Sequence, residues 1–142
     1  MIMKPILTDD EELLLVAAIQ EQELRTSAEI RVCLTYKLIW RPERYAWKVF
    51  ERAGMRATRQ RNGVLIVMMP RMKKVIVLGD AGVEALVPQD FWKETVAAMI
   101  HEKHENGALT ALREGLRRVG DALAPHWPRD PADVNELPDE LL

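Results

Sequence analysis

The spacing of hydrophobic and polar residues predicts a helix, a strand and a second helix in the first part of the chain. Thr8 and Glu11 form a capping box, in which each side chain accepts a hydrogen bond from the other residue's backbone amide. The helix that begins there runs to about residue 24. Its predicted buried face consists of Leu13, Val16, Ala17 and Leu24. Residues 29–36 are rich in β-branched and apolar side chains and predict a strand, and a second helix begins at Pro42 and ends at Gly54.

Two more strands and two more helices follow. Residues 63–69 and 74–78 are apolar runs separated by a short turn, which predicts a β-hairpin. Because residues 64–69 are apolar at every position, we expect this strand to be central and covered on both faces. A short helical turn is expected after residues 79–82, then helices over residues 89–104 and 108–124. The order α-β-α-β-β-α-α predicts an α/β fold: a three-layer α/β/α sandwich with a small mixed sheet, in which strand three is antiparallel.

Composition excludes several classes of protein. The chain has 142 residues, enough for one domain with its own core, and a single cysteine, Cys33, which excludes an internal disulfide and a thiolate-rich zinc site. Cys33 lies in an apolar strand and is interpreted as a buried thiol. The sequence shows neither a secretory signal nor an apolar run of ~20 residues that could cross a bilayer. We therefore expect a cytoplasmic protein.

Charge is distributed unevenly. The formal net charge is −2, which argues against a generally cationic nucleic-acid binder. Residues 37–74 hold 11 basic and two acidic side chains, a net +9, so the remainder carries −11. We predict a domain over residues 1–127 and a flexible acidic tail over residues 128–142, whose contacts would be with the basic segment.

Polar side chains are predicted to gather at one end of the sheet, where strands one and two begin and strand three ends. They are Ser27, Glu29, Arg61, Asn62, Asp80 and Glu84, with Gly63, Gly79 and Gly82 allowing close backbone approach. Oxygens of Asp80, Glu84 and Asn62 would suit Ca²⁺ or Mg²⁺, whereas Arg61 beside the three glycines would suit a phosphate or carboxylate. A structural alternative is that Arg61 pairs with Asp80 or Glu84 and that the glycines serve tight turns. These alternatives remain open at this point.

Two other patterns consist of residue types that can bind metals or anions. His101 and His104 lie three residues apart instead of the four that a zinc-protease helix requires, and we interpret them as a polar helix end. Basic residues recur every fourth position along the second helix and past its end, at Arg44, Lys48, Arg52 and Arg56. Such a stripe is typical of a solvated face or of a phosphate-binding surface. No catalytic triad or phosphate-binding loop appears.

The chain resembles the TPM-domain family, which includes chloroplast photosystem-repair proteins and bacterial relatives. The likeness lies in four stretches: residues 7–11 leading to 25–32, residues 62–66, residues 77–84, and residues 106–109 leading into the last helix. The resemblance implies an α/β/α sandwich, and in some members an acid phosphatase activity or a divalent cation held by acidic loops. Two departures fall on those loops. Arg61 stands where the family commonly has aspartate, and Gly79-Asp80-Ala81-Gly82 replaces a common Gly-Tyr-Gly.

From this resemblance we expect a non-catalytic or weakly catalytic protein-interaction module. The expected partner is another protein at a membrane-associated assembly, and nucleic acid is not expected. The alternative is a divalent-cation-dependent acid phosphatase that uses the Asp80 end of the sheet. A second alternative is anion or nucleic-acid binding by the basic stripe of the second helix. Because Arg61 places a fixed positive charge beside Asp80, we expect Ca²⁺ or Mg²⁺ to bind weakly or not at all.

Overall fold

The computed structural model describes residues 5–129 and 141–142, and within them it has five helices and three strands. The helices are α1 (Asp9–Glu23), α2 (Pro42–Arg52), α3 (Ala81–Glu84), α4 (Phe91–Asn106) and α5 (Ala108–Leu123). The strands are β1 (Ile30–Leu34), β2 (Val64–Met69) and β3 (Lys74–Gly79). The helices and strands follow the predicted order, and short 3₁₀ turns lie at Met55–Ala57 and Pro70–Met72. In this part of the chain, no helix has the length and apolar character needed to cross a membrane.

The sheet has the order β1-β2-β3 and is mixed, as predicted. Strand β1 runs parallel to β2, with Ile30 beside Val64, and β3 runs antiparallel, with Gly79 beside Val64. All six residues of β2 are fully buried, which confirms that this strand is central and covered on both faces.

Helices cover both faces of the sheet and make the three layers. Alternate residues of a strand point to opposite faces, so Val64, Ile66 and Met68 pack with α1, α4 and α5 in one core. Leu65, Val67 and Met69 pack against α2 in a second core. The second core also holds Cys33, confirming a buried thiol, and burial raises the pKa of that thiol.

The buried face of α1 differs from the prediction. Leu13 is 71% and Leu24 74% exposed, whereas the buried positions are Leu15, Ala18, Ile19, Gln22 and Glu23. The prediction was wrong because residues 13–19 are apolar without a break, so the pattern does not say which side of the helix meets the core. The capping box at Thr8 and Glu11 is confirmed, with both hydrogen bonds formed.

The described residues at the C-terminus lie along β1. The Trp127 carbonyl accepts hydrogen bonds from the backbone amide of Ser27 and the hydroxyl of Thr26, and the Leu142 amide donates to the Val32 carbonyl at 2.9 Å. These contacts are with β1 and the chain before it, and not with the basic segment as expected, because an edge strand offers unpaired carbonyls. The remainder of the predicted acidic tail, residues 130–140, lies outside the described residues.

Candidate functional site

Arg61 and Asp80 form a two-pronged ion pair at the end of the sheet where polar residues were expected to meet. Arg61 donates from Nε to one oxygen of Asp80 at 2.7 Å and from a terminal nitrogen to the other at 2.8 Å. The Asp80 side chain is 1% exposed, while Arg61 closes over it from the solvent side. Of the predicted alternatives, the structure therefore shows Arg61 paired with Asp80.

The backbone holds both partners in place. Asp80 is the residue that caps the start of α3, and its carboxylate accepts the Ala81 amide at 2.8 Å. Its own amide donates to the Gly63 carbonyl, and the Gly82 amide donates to the Arg61 carbonyl, both at 2.9 Å. The loop before β2 and the start of α3 are thus tied together on both sides of the ion pair.

The electrostatics of the pair favour its charged form. Burial by itself would raise the pKa of Asp80, but the hydrogen bonds from Arg61 and the Ala81 amide, with the charges of Arg61 and Arg56, lower it below its ordinary value. The hydrogen bond to Asp80 raises the pKa of Arg61 in turn. The carboxylate therefore stays ionised and occupied by its arginine at neutral pH.

Arg56 also belongs to this site, although the sequence pattern placed it on the basic stripe of the second helix. It lies 3.8 Å from an Asp80 oxygen, and its guanidinium stacks over the rings of Trp47 and Phe50 at 5.1 and 5.7 Å. The chain turns at Gly54, where φ is +71°, and this turn directs Arg56 away from the stripe on α2. The sequence feature that could have indicated this change of direction is Gly54, which follows α2 and lies two residues before Arg56.

The other predicted polar residues do not join the pair. Glu84 accepts a hydrogen bond from the Trp92 indole at 2.8 Å, so it faces α4. Glu29 is buried beside Arg31, 3.6 Å from its guanidinium, and the backbone of Ser27 bonds to Trp127. Asn62, which follows Arg61 in the chain just before β2, is buried. Among the described residues, no three His, Cys, Asp or Glu side chains lie together as metal ligands would.

The three glycines of the site are packed closely against neighbouring atoms. A Cβ at Gly79 would lie 2.5 Å from the Trp92 ring, and one at Gly63 would lie 3.1 Å from the Met55 carbonyl. A Cβ at Gly82 would lie 2.7 Å from the Arg61 carbonyl. Their role in this structure is close packing, and ligand binding at these glycines stays a prediction.

A buried charge cluster, also not predicted, lies beside the site. Arg31 on β1 is 2% exposed, and its guanidinium lies 3.8 Å from Glu23 at the end of α1 and 3.6 Å from Glu29. Arg31 stands in a strand among apolar neighbours, so the pattern gave no sign that its charge is enclosed. This cluster joins α1 to the first strand.

The remaining chemical candidates lie on the surface. Arg44, Lys48 and Arg52 are exposed along α2. His101 and His104 are exposed near the end of α4, as expected of a polar helix end, and His104 meets Glu105 at 3.4 Å.

The fold and site define a small α/β/α domain whose candidate ligand site is closed by its own ion pair. A family model described as TPM domain matches residues 3–122, and the chain belongs to this family. No curated protein sequence matches the chain.

Solved structures share this fold. The chain is similar to the NMR structure of the BA42 protein from the psychrophilic bacterium Bizionia argentinensis, with 33% identity, a TM-score of 0.89, and 99% of this chain and 97% of that one covered. It also resembles the N-terminal domain of a P. gingivalis protein, with 18% identity, a TM-score of 0.68, and 86% and 79% covered. It resembles the N-terminal domain of the cg2496 protein from Corynebacterium glutamicum as well, with 11% identity and a TM-score of 0.61. This match covers 96% of this chain and 80% of that one. The last two likenesses concern the fold alone.

Proposed function

We propose that this protein is a TPM domain that works by binding another protein and not by catalysis. The observation that supports the absence of catalysis is the occupied carboxylate of Asp80. A divalent cation prefers several oxygen ligands at 2.0–2.6 Å, and both oxygens of Asp80 already accept hydrogen bonds from Arg61. Glu84 is engaged with Trp92, so a second carboxylate is not aimed at the same point.

The same geometry argues against acid phosphatase activity. Metal-assisted phosphoryl transfer needs a cation to neutralise developing charge and a nucleophile or activated water beside it. At this end of the sheet, the guanidinium of Arg61 already binds both oxygens of Asp80, which a cation would need as ligands. A cytoplasmic location and weak or absent Ca²⁺ and Mg²⁺ binding belong to the same proposal.

A hydrolysis assay tests the proposal directly. We expect p-nitrophenyl phosphate to be hydrolysed at the rate of the buffer blank between pH 4.5 and 7.5, with Mg²⁺, Mn²⁺ or Ca²⁺ present. The matched control is Asp80→Asn, which should give the same result. Hydrolysis that requires a divalent cation and disappears in Asp80→Asn would establish the phosphatase alternative instead.

A further inference from the structure

The loop between β1 and α2 displays large apolar side chains to solvent. Trp40 is 92% exposed and Leu38 64% exposed. Ile39, between them, is half-buried and packs against the core beneath α2. Anchoring Ile39 inward holds its two neighbours outward, so the exposure is a property of the folded loop and not of a loose segment.

Basic side chains surround this loop. Register places the end of β1 and the end of β2 together, and Lys74 at the start of β3 is joined to Glu43 on α2 by a 2.7 Å ion pair. The loop, the first turn of α2 and the 3₁₀ turn after β2 therefore meet at one end of the molecule, opposite the Asp80 site. We call this surface the basic end: Leu38 and Trp40 with Lys37, Arg41, Arg44, Arg71 and Lys73.

Within residues 5–129 and 141–142, the five cations of the basic end form no ion pair: Lys37, Arg41, Arg44, Arg71 and Lys73. Glu43, the acidic residue of this surface, is already bound by Lys74, whose hydrogen bond lowers the pKa of Glu43. A surface that combines unpaired cations with projecting apolar groups is complementary to an occupant that is anionic and has an apolar interior.

We propose that the basic end docks onto the surface of an anionic phospholipid bilayer, with Leu38 and Trp40 inserted between headgroups. Indole rings favour the headgroup level of a bilayer, and basic side chains are attracted to an anionic leaflet. The proposal does not depend on the function of the Asp80 site, which lies at the other end of the sheet.

A lipid surface fits the loop better than a nucleic acid does. Single-stranded nucleic acids stack successive bases on aromatic rings. Here one exposed ring, Trp40, stands beside the aliphatic Leu38, which offers no stacking face. Tyr45, the aromatic residue that follows Trp40 in the chain, lies under the Lys37 ammonium group at 5.9 Å. This surface displays one aliphatic and one aromatic side chain, and not a row of aromatic rings.

Vesicle sedimentation of the full chain tests the proposal. We expect binding to vesicles of 30% phosphatidylglycerol in phosphatidylcholine at 0.1 M salt, and little binding to pure phosphatidylcholine. Arg41→Gln with Arg44→Gln should weaken binding by about 25-fold, at ~5-fold for each basic residue. Leu38→Ser and Trp40→Ser should each weaken binding as well.

Two controls change an exposed leucine and a basic residue that lie at the opposite end of the molecule. Leu24→Ser replaces another exposed leucine, and Lys93→Gln removes a charge at the start of α4. Both should bind vesicles as the parent does. Tryptophan fluorescence gives a second measurement. Brominated lipids should quench the part of the parent's emission that comes from Trp40, one of four tryptophans, and leave the Trp40→Phe signal nearly unchanged.

Three results would overturn the proposal. One is no binding to anionic vesicles. Another is equal binding by the basic-end variants and the parent. The third is that the chain binds a single-stranded oligonucleotide more tightly than anionic vesicles and needs the same residues to do so, which would assign the surface to nucleic acid.

Discussion

Replacing Arg61 should turn the closed carboxylate of Asp80 into a cation ligand. The two nitrogens of Arg61 lie 2.7 and 2.8 Å from the oxygens of Asp80. A Ca²⁺ ion bound to the same oxygens at ~2.4 Å would sit about 4 Å from the guanidinium. Two unit charges at that distance in water repel enough to change a dissociation constant roughly five-fold, and a divalent ion raises this to ~30-fold.

Two substitutions separate the loss of repulsion from the gain of a ligand. Arg61→Asn removes the positive charge and should strengthen Ca²⁺ binding by at least ~30-fold. Arg61→Asp adds a carboxylate and should strengthen it further. Position 61 has φ of +50°, a conformation that Asn and Asp adopt more readily than other side chains, so neither variant should strain the loop.

Isothermal titration with CaCl₂ and MgCl₂ measures these affinities, and near-UV circular dichroism checks that each variant is folded. Adding Asp80→Asn to Arg61→Asp should abolish the gain. The reasoning is refuted if the unmodified chain binds Ca²⁺ at micromolar concentration and Asp80→Asn loses it. It is also refuted if neither Arg61 variant binds more tightly than the parent.

Three other predictions follow from contacts of single residues. Because the pKa of Asp80 is lowered in the folded state, its ionised form stabilises the fold fully above about pH 4 and progressively less as acid titrates it. Urea unfolding from pH 2.5 to 7 should show that the difference in unfolding free energy between the parent and Asp80→Asn closes below about pH 4. Gly79→Ala puts a Cβ 2.5 Å from the Trp92 ring and should cost about 1–3 kcal/mol of unfolding free energy, part of it recovered by adding Trp92→Leu; full stability would contradict the packing. Cys33 should react slowly with a disulfide reagent at pH 8 until urea unfolds the protein, and rapid labelling of the native state would show that the thiol is accessible.

The sheet could be predicted because its signals are local and unambiguous. Residues 64–69 are apolar throughout, and the hairpin that follows fixes the direction of β3. The direction of the strands then predicts that Arg61 lies near Asp80. Sequence reasoning left open whether Arg61 pairs with Asp80 or Glu84. The choice depends on where α3 begins, since a helix capped by Asp80 leaves Glu84 one turn later, beside Trp92.

What the pattern could not predict depends on three-dimensional packing. An unbroken apolar run in α1 does not mark its inner side, and the outward positions of Leu13 and Leu24 follow from how the helix meets α5 and β1. The enclosed charge of Arg31 depends on Glu23, eight residues earlier, at the end of another element. Neither the outward side of α1 nor the contact between Arg31 and Glu23 produces a periodic pattern of residues in the sequence.

The hydrogen bond from Leu142 to Val32 bears on the self-association of this protein. An uncovered edge strand is a template for pairing with the same strand of another molecule. In this fold the outer side of β1 receives Leu142, and the chain ahead of β1 forms a bridge between Thr26 and Pro128. Leu142 and Pro128 therefore cover part of the edge of β1 and of the chain before it, where another molecule could otherwise pair. Removing residues 141–142 should increase self-association at high protein concentration, while the core beneath the sheet stays folded.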